Sequence, residues 1–335
     1  MPKLDGEDPV RVTRKLLLPL FALFMPWTSH AQDAASYPSR PIRVIVPQPP
    51  GGGVDVSARI ASEAVEKHLG QRLIIENKPG AGGRIGTAAA ARATPDGYNF
   101  LFTPKTPITI FQHMKLKLEF DPERDFTPVA IVIRQPGLLI TRPSLPAKTL
   151  VEFIALAKDN PGKLTFGIQG LGSEFHVAME ILNRAADIEL RAIPYQGGSP
   201  AIVDLLADRL DAMFLVPAAI REHLVNRRLN ALATLNARRL VDFPDVPAMA
   251  EIGLAEVTSS SWFGYMAPSG TPPVFVDKFV EALRRLPSDT ALAKRITDIG
   301  GELDVAGPAE FAAIIETERR QYGKIVAESN IEGSN

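Results

Sequence analysis

The chain has 335 residues, 45% hydrophobic and 22% charged, an ordinary soluble composition long enough for two lobes. Its formal net charge of −1 gives no sign of a nucleic-acid surface. Cysteine is absent, which excludes disulfides, thiolate metal sites and thiol nucleophiles.

Arg11, Arg14 and Lys15 precede an apolar run over residues 16–25, and Ser29-His30-Ala31 closes it with small residues where a signal peptidase reads. The pattern predicts a Sec-type signal peptide over 1–31, cleaved before Gln32. Ten apolar residues broken by Pro19 are too short to span a bilayer. The mature protein is therefore expected to be soluble and outside the cytoplasm.

Residues 42–46 read as a first strand. Pro50-Gly51-Gly52-Gly53-Val54-Asp55 follows and leads into a helix with apolar positions at Val56, Ile60, Ala64, Val65 and Leu69. Glycines let the backbone approach a ligand closely. A helix N-terminus offers unpaired N–H groups and partial positive charge. The stretch therefore reads as an anion cradle made of main chain, with Asp55 capping the helix or in its first turn; a tight turn that binds nothing is the alternative.

Residues 72–76 form the second expected strand, and a second glycine loop, Gly80-Ala81-Gly82-Gly83, opens an alanine-rich helix over 87–93. A third strand covers 98–102 and is followed by Thr103-Pro104-Lys105-Thr106-Pro107. Two short strands, 129–133 and 138–141, flank Pro136-Gly137, taken as a hinge. Thr149 and Glu152 form a capping box before the next helix. The strand 164–168 runs into the turn Gln169-Gly170-Leu171-Gly172-Ser173 and the helix 174–186. The strand 192–195 runs into a fourth turn, Gln196-Gly197-Gly198-Ser199, with Ser199 as N-cap and Pro200 at the first helical position. Strands at 212–216 and 231–235, a return segment from Pro244, an aromatic strand at 262–266 and helices over 274–286, 289–299 and 309–329 complete the chain. The alternation predicts α/β architecture with parallel sheets. Ligands of such sheets sit beyond the carboxyl ends of the strands, where all four turns would meet.

Catalytic chemistry is poorly represented. Ser173 lies outside a Gly-x-Ser-x-Gly elbow, and His176, three residues on, is more simply a structural neighbour than a catalytic base. Gly80, Gly82 and Gly86 miss the dinucleotide spacing by one residue. No two histidines stand at ligand spacing, so no metal or cofactor is expected. Asp204, Asp208 and Asp211 read as a solvated face. Lys105, just after the third strand, faces the expected cleft. It is either a partner for a ligand carboxylate or a solvated loop lysine.

Eight stretches in order resemble the Bug family, the periplasmic solute receptors of tripartite tricarboxylate transporters. They are Tyr37-Pro38-Ser39-Arg40-Pro41-Ile42-Arg43 with Val46-Pro47; Pro50 to Asp55; Glu76-Asn77-Lys78-Pro79-Gly80-Ala81-Gly82-Gly83; and Pro95-Asp96-Gly97-Tyr98. Then come Gly170-Leu171-Gly172-Ser173 with His176; Pro194-Tyr195-Gln196-Gly197; Pro244-Asp245-Val246-Pro247; and Ser261-Trp262-Phe263-Gly264 with Ala267-Pro268.

The resemblance implies a two-lobed type II periplasmic-binding fold with a two-stranded hinge. Residues 37–136 and 241–335 would form lobe 1, and 137–240 lobe 2. It also implies capture of a small organic carboxylate (amino acid, di- or tricarboxylate, or aromatic acid) largely by loop main chain, and delivery to membrane permease subunits. Position by position, the implied ligand-binding residues are Pro50, Gly51, Gly52, Gly53 and Asp55, with Thr103 and Lys105, then Gly172, Ser173, His176, Tyr195 and Gly197. Asp55 is taken as an organiser of its loop rather than a direct contact. Gln48, Val54, Gln196 and Leu215 depart from the usual family residues, as does 103–107. Val54 and Leu215 point to a less polar or larger guest, Lys105 to a second anionic group. An exported Ser173/His176 hydrolase and a ligand-sensing subunit remain as alternatives.

Overall fold

The structure, a computed structural model, describes residues 36–195, 198–257 and 260–328. The expected signal peptide, Gln196 and Gly197 lie outside the described residues.

From Tyr37 the elements are β1 (Ile42–Val46), α1 (Gly53–Leu69), β2 (Leu73–Asn77), α2 (Arg84–Ala91), β3 (Asn99–Pro104), α3 (Thr106–Thr109), β4 (Phe126–Pro136), β5 (Leu138–Thr141) and α4 (Leu150–Asp159). They continue as β6 (Thr165–Ile168), α5 (Glu174–Ala186), β7 (Arg191–Pro194), α6 (Gly198–Leu206), β8 (Ala212–Leu215), α7 (Arg221–Val225) and β9 (Asn230–Thr234). Last come β10 (Ser260–Pro268), α8 (Pro273–Leu283), α9 (Thr290–Asp298), β11 (Glu302–Ala306) and α10 (Pro308–Glu328).

Local chemistry accounts for these elements. Four of the five residues of β1 are buried, as expected of a strand covered on both faces and paired on both edges, by β2 and β3. α1 buries Ala58, Ile60, Ala61, Ala64 and Val65 as one stripe and stops at Gly70, whose φ of 69° provides a left-handed cap. The capping box of α4 is present in both directions: Glu152 N donates to Thr149 Oγ1, and Thr149 N donates to Glu152 Oε2, each at 3.2 Å.

Two sheets result, ordered β11-β4-β10-β3-β1-β2 and β7-β6-β8-β5-β9. The parallel expectation holds for β1 with β2 and β3, and for β6 with β7 and β8. Elsewhere it needs correction. β10 runs antiparallel to both β3 and β4, β11 antiparallel to β4, and β5 antiparallel to β8 and β9. The chain leaves the first sheet along β4 and returns along β10; pairing the outgoing and returning strands side by side requires opposite directions. β4 is also longer than expected, reaching Pro136 in 11 residues. β11 has no counterpart among the expected strands: Glu302-Leu303-Asp304-Val305 alternates polar and apolar residues, but five residues between two long helical patterns are too short to stand out. α6 begins at Gly198, one residue before the expected cap Ser199.

The crossing is at Gly137, whose carbonyl accepts hydrogen bonds from Leu235 N (2.8 Å) and Thr234 Oγ1 (3.2 Å). Each sheet has a core. Ile45, Leu101, Ile131, Trp262 and Phe311 centre one, with Trp262 edge-on to Phe311. Leu139, Phe153, Phe166, Met179 and Phe214 centre the other. The second core also takes in Ile110, Phe111 and Met114 from beyond β3, and Tyr322, Ile325 and Val326 from α10. Side chains that follow first-sheet elements thus reach the second sheet.

Candidate functional site

Strand–turn–helix transitions after β1, β2 and β6 place three glycine turns at carboxyl ends of strands, and Gly198 opens α6 close behind β7. At the first, Gly51 has φ 77°, a conformation glycine adopts without strain, and no atom lies within 4 Å of where a Cβ would stand at Gly51 or Gly53. Pro50, Gly51 and Gly53 are exposed and Gly52 is half-buried, so main chain here is open to solvent. Gly53, Val54 and Asp55 open α1 and have no carbonyl one helical turn back to receive their N–H groups.

Asp55 holds this turn in shape. Its carboxylate accepts from Gly51 N (2.9 Å), Arg59 Nε (3.0 Å) and Asn77 Nδ2 (2.9 Å), and the Asn77 amide also donates to Gln48 O at 3.0 Å. Burial works against the charged carboxylate, but the hydrogen bonds from Arg59, Gly51 and Asn77 outweigh it and keep Asp55 below the usual carboxylate range. Asp55 is 2% exposed, an organiser of the loop. Asn77 stands one residue past the expected strand, at the start of the second glycine loop, and that position is its sequence signal.

The other turns join this one by contact. A Cβ at Gly86 would lie 2.5 Å from Lys78 O and 2.6 Å from Pro47 Cα, so the second loop is pressed onto the first. Gly83 lies against Gln48, Pro47 and Pro107, and Gly82 against Phe111. Gly172, buried with φ 73°, is covered by Met114, whose Cε would be 2.0 Å from an added Cβ. Gly198, next to the fourth turn, lies against Leu215 and Gln169, the latter at the start of the third turn. Contacts thus run continuously from turn one to turn four through the segment after β3. Met114 had no sequence signal, since a single methionine in a loop carries no period.

Ser173 caps α5, accepting from His176 N at 3.3 Å. The His176 ring is 5% exposed, its Nδ1 accepts from Gly172 N at 3.0 Å, and its Nε2 is 3.8 Å from Glu180. Burial lowers its pKa to about 4. Neutral His176 therefore receives the Gly172 amide and keeps its proton on Nε2. Its basic nitrogen is occupied by that amide while Ser173 Oγ faces the backbone N of His176, so the pair is not arranged as nucleophile and base. Tyr195 donates its hydroxyl to Asp204 at 2.9 Å, and burial together with that carboxylate raises its pKa to about 12. Asp211 is half-buried and accepts from Thr165 N, Thr165 Oγ1 and Arg142 Nε, each at 2.8 Å, rather than lying on a solvated face.

Thr103 is fully buried and donates to Pro104 O at 3.0 Å. Lys105 is 1% exposed. Its Nζ lies 3.1 Å from Glu174 Oε1 and 3.8 Å from Glu318 Oε1, and 5.2 Å from the centre of the Tyr322 ring. Burial alone would lower the Lys105 pKa; Glu174, Tyr322 and Glu318 reverse that and hold it above the ordinary lysine range. Glu318 also accepts from Trp262 Nε1 at 3.0 Å, and burial pushes its carboxyl up. The solvated-loop reading of Lys105 gives way to an internal ion cluster. Glu318 and Tyr322, about two hundred residues distant in sequence, had no local signal.

Two open depressions, about 470 and 440 Å³, lie elsewhere. One is lined by Ala130, Leu283 and Pro308 among others, the other by Leu224, Asn230 and Phe243 among others. Neither touches a glycine turn.

The sequence matches the profile of the tripartite tricarboxylate transporter family receptor over residues 57–331. It is 34% identical over 298 residues to protein BugT of Bordetella pertussis, covering 89% of this chain and 91% of that one. Among solved structures it resembles Rpa4515 of R. palustris with adipate: TM-score 0.81, 28% identity, 89% of this chain and all of that one. It also resembles MatC of Rhodopseudomonas palustris with bound malate: TM-score 0.77, 30% identity, 87% of this chain and all of that one.

Proposed function

Because the chain belongs to the tripartite tricarboxylate transporter receptor family, solute-binding proteins rather than enzymes with a two-lobed type II periplasmic-binding fold, we propose that it captures a small organic carboxylate in the periplasm and hands it to membrane permease subunits. Residues 1–31 would direct export. Residues 37–136 and 241–335 would form one lobe and 137–240 the other, hinged at Gly137 and the return strand β10.

The observation that carries this reading is the unbroken set of contacts joining four glycine turns, with exposed main chain at the first. Helix N-termini of α1 and α5 supply N–H groups and positive partial charge for a carboxylate. Each charge-assisted hydrogen bond would contribute about 1.5–3 kcal/mol. Gly53, with Val54 and Asp55 behind it, offers that cradle its amides; Gly51, Gly52, Gly172 and Ser173 shape the turns around it, their own N–H groups donating to Asp55, Pro49 O, His176 and Gly170 O, and Tyr195 borders it. Gly197 would complete the fourth turn. Bound adipate and malate in two structural relatives support the guest class. The hydrolase alternative conflicts with the engaged imidazole of His176.

A thermal-shift screen against mono-, di- and tricarboxylates and amino acids tests the reading. At least one acid should raise Tm by several degrees. Flat melting curves across the whole panel would count against carboxylate capture.

A further inference from the structure

The three most exposed large apolar side chains of the described residues gather at one place. They are Val241, Val225 and Val151, at 96%, 73% and 62% exposure. Phe243 N donates to Leu240 O at 3.0 Å, a tight turn that puts Val241 at its tip. Val225 ends α7, and Arg221 stands one helical turn before it on the same face. Arg221 pairs with Asp242, and its guanidinium lies 5.7 Å from the centre of the Phe243 ring, so α7 and the Val241 turn stand side by side. Val151 follows shortly after Lys148, which lines the depression of about 440 Å³ together with Leu224, Arg227 and Phe243.

Charge around these tips is unevenly balanced. Asp242 is taken by Arg221 and Glu251 by Arg239, on which Asp245 also acts. Arg227, Arg228 and Arg238 are exposed, and no ion pair joins them to a carboxylate among the described residues. Glu222 is the acidic side chain of α7 that stands against them. Arg227 has φ 53°, a left-handed conformation that glycine adopts at less cost, and the position carries an arginine. The chain has a formal net charge of −1, so its overall charge gives no attraction to an anionic surface; a local group of cations is needed.

The depression lies away from the glycine turns. Asn230, which helps to line it, pairs with Thr141, and Thr141 pairs with Ala212 at the start of β8. β8 runs parallel to β6, whose carboxyl end carries the third turn. The depression is thus at the opposite pole of the second sheet, and contact there leaves that turn open.

We propose that this pole is a docking surface for an anionic lipid bilayer: Val225 and Val241 enter the headgroup region, and Arg227, Arg228 and Arg238 bind lipid phosphates. The planar fork of arginine matches phosphate oxygens in pairs. Shallow apolar insertion beside basic side chains gives reversible attachment. A protein partner fits less well. Protein interfaces draw most of their energy from aromatic and arginine anchors, with valine under-represented, and the ring here, Phe243, is half-buried under Arg221. The proposal goes beyond carboxylate capture and does not depend on it. For a receptor that serves membrane permease subunits, attachment replaces a search through a volume with a search over a surface.

The chain from Gln32 is used for the test, so that residues 16–25 add no affinity of their own. Sedimentation with vesicles of mixed phosphatidylglycerol and phosphatidylcholine should pellet it; vesicles of phosphatidylcholine alone should not. Binding should fall with added NaCl. At constant ionic strength it should not change on adding inorganic phosphate equal to the lipid phosphate, which separates a bilayer from a soluble anion. Arg227→Gln with Arg228→Gln should lower the partition coefficient about tenfold or more. Arg284→Gln with Arg285→Gln, an exposed pair elsewhere that changes net charge equally, should lower it by less than about threefold. Val225→Ser with Val241→Ser should lower it about fivefold or more. All three variants should melt with wild type, since every changed side chain is exposed. No binding to the mixed vesicles, equal losses for the two arginine pairs, or full binding by the serine variant would each overturn the proposal. Displacement by inorganic phosphate would overturn it too, making the face a soluble-anion site. So would retention on a poly-glutamate resin without vesicle binding, which would assign the face to an acidic protein.

Discussion

Gly86 is fixed by contact rather than by backbone angle. An added methyl would meet Lys78 O and Pro47 Cα, backbone atoms that cannot swing aside. Gly86→Ala should cost about 1–3 kcal/mol in urea unfolding, and it should weaken carboxylate binding by spreading the first two turns apart. Gly170→Ala meets nothing within 4 Å, but its φ of 96° is left-handed and should cost about 1–2 kcal/mol through strain alone. His176 gives a pH prediction. Its folded pKa, about 4, lies below the 6.5 of a free imidazole, so the unfolded chain binds the extra proton between those values. The stability contributed by neutral His176 is present above pH 6.5 and is lost as pH falls toward 4, a change of about 2 kcal/mol by pH 5 and about 3 kcal/mol by pH 4. Burial raises the Glu180 pKa, and that group acts with the opposite sign, its contribution lost as pH rises. Urea midpoints at pH 7 and pH 5 should therefore fall more for wild type than for His176→Gln; equal falls would reject the assignment. At this scale the sequence exposed residues whose chemistry is local, such as Gly51 and Ser173. It hid Met114 and Glu318, which matter only through partners brought together by folding.

Two helix caps separate structure from binding. Thr149 and Ser173 both accept a backbone N–H at the start of their helices, but only Ser173 stands at a glycine turn. Thr149→Ala and Ser173→Ala should each cost about 1 kcal/mol of stability. Calorimetry should find weaker carboxylate affinity for Ser173→Ala alone. Elements of this kind were legible: the capping box and the bounds of α5 follow from residue types within one helical turn. β11 was not, because the alternation of Glu302-Leu303-Asp304-Val305 is too short to separate from the helical patterns on either side. The length of β4 was obscured by Pro128, which punctuates the sequence yet is tolerated where β10 shifts register beside it.

At the scale of the whole molecule, the order of the four turns was readable because each is a local device repeated in series. The antiparallel insertion of β10 was not, since nothing within a strand states which way its neighbours run. Nor was the reach of α10 into the second core, where Tyr322, Ile325 and Val326 pack. Small-angle scattering on the free and acid-saturated protein should show no gain in radius of gyration on binding; expansion would contradict closure around the guest.

The carbonyl of Gly137 receives both the Leu235 amide and the Thr234 hydroxyl. The outward and homeward passages of the polypeptide are thereby riveted at one oxygen. Were the proposed lobes to close about this point, such a joint would favour a swing like that of a door leaf over the free roll of a ball in a socket. Selectivity would then depend on a guest's thickness across the swing more than on its length along the pin.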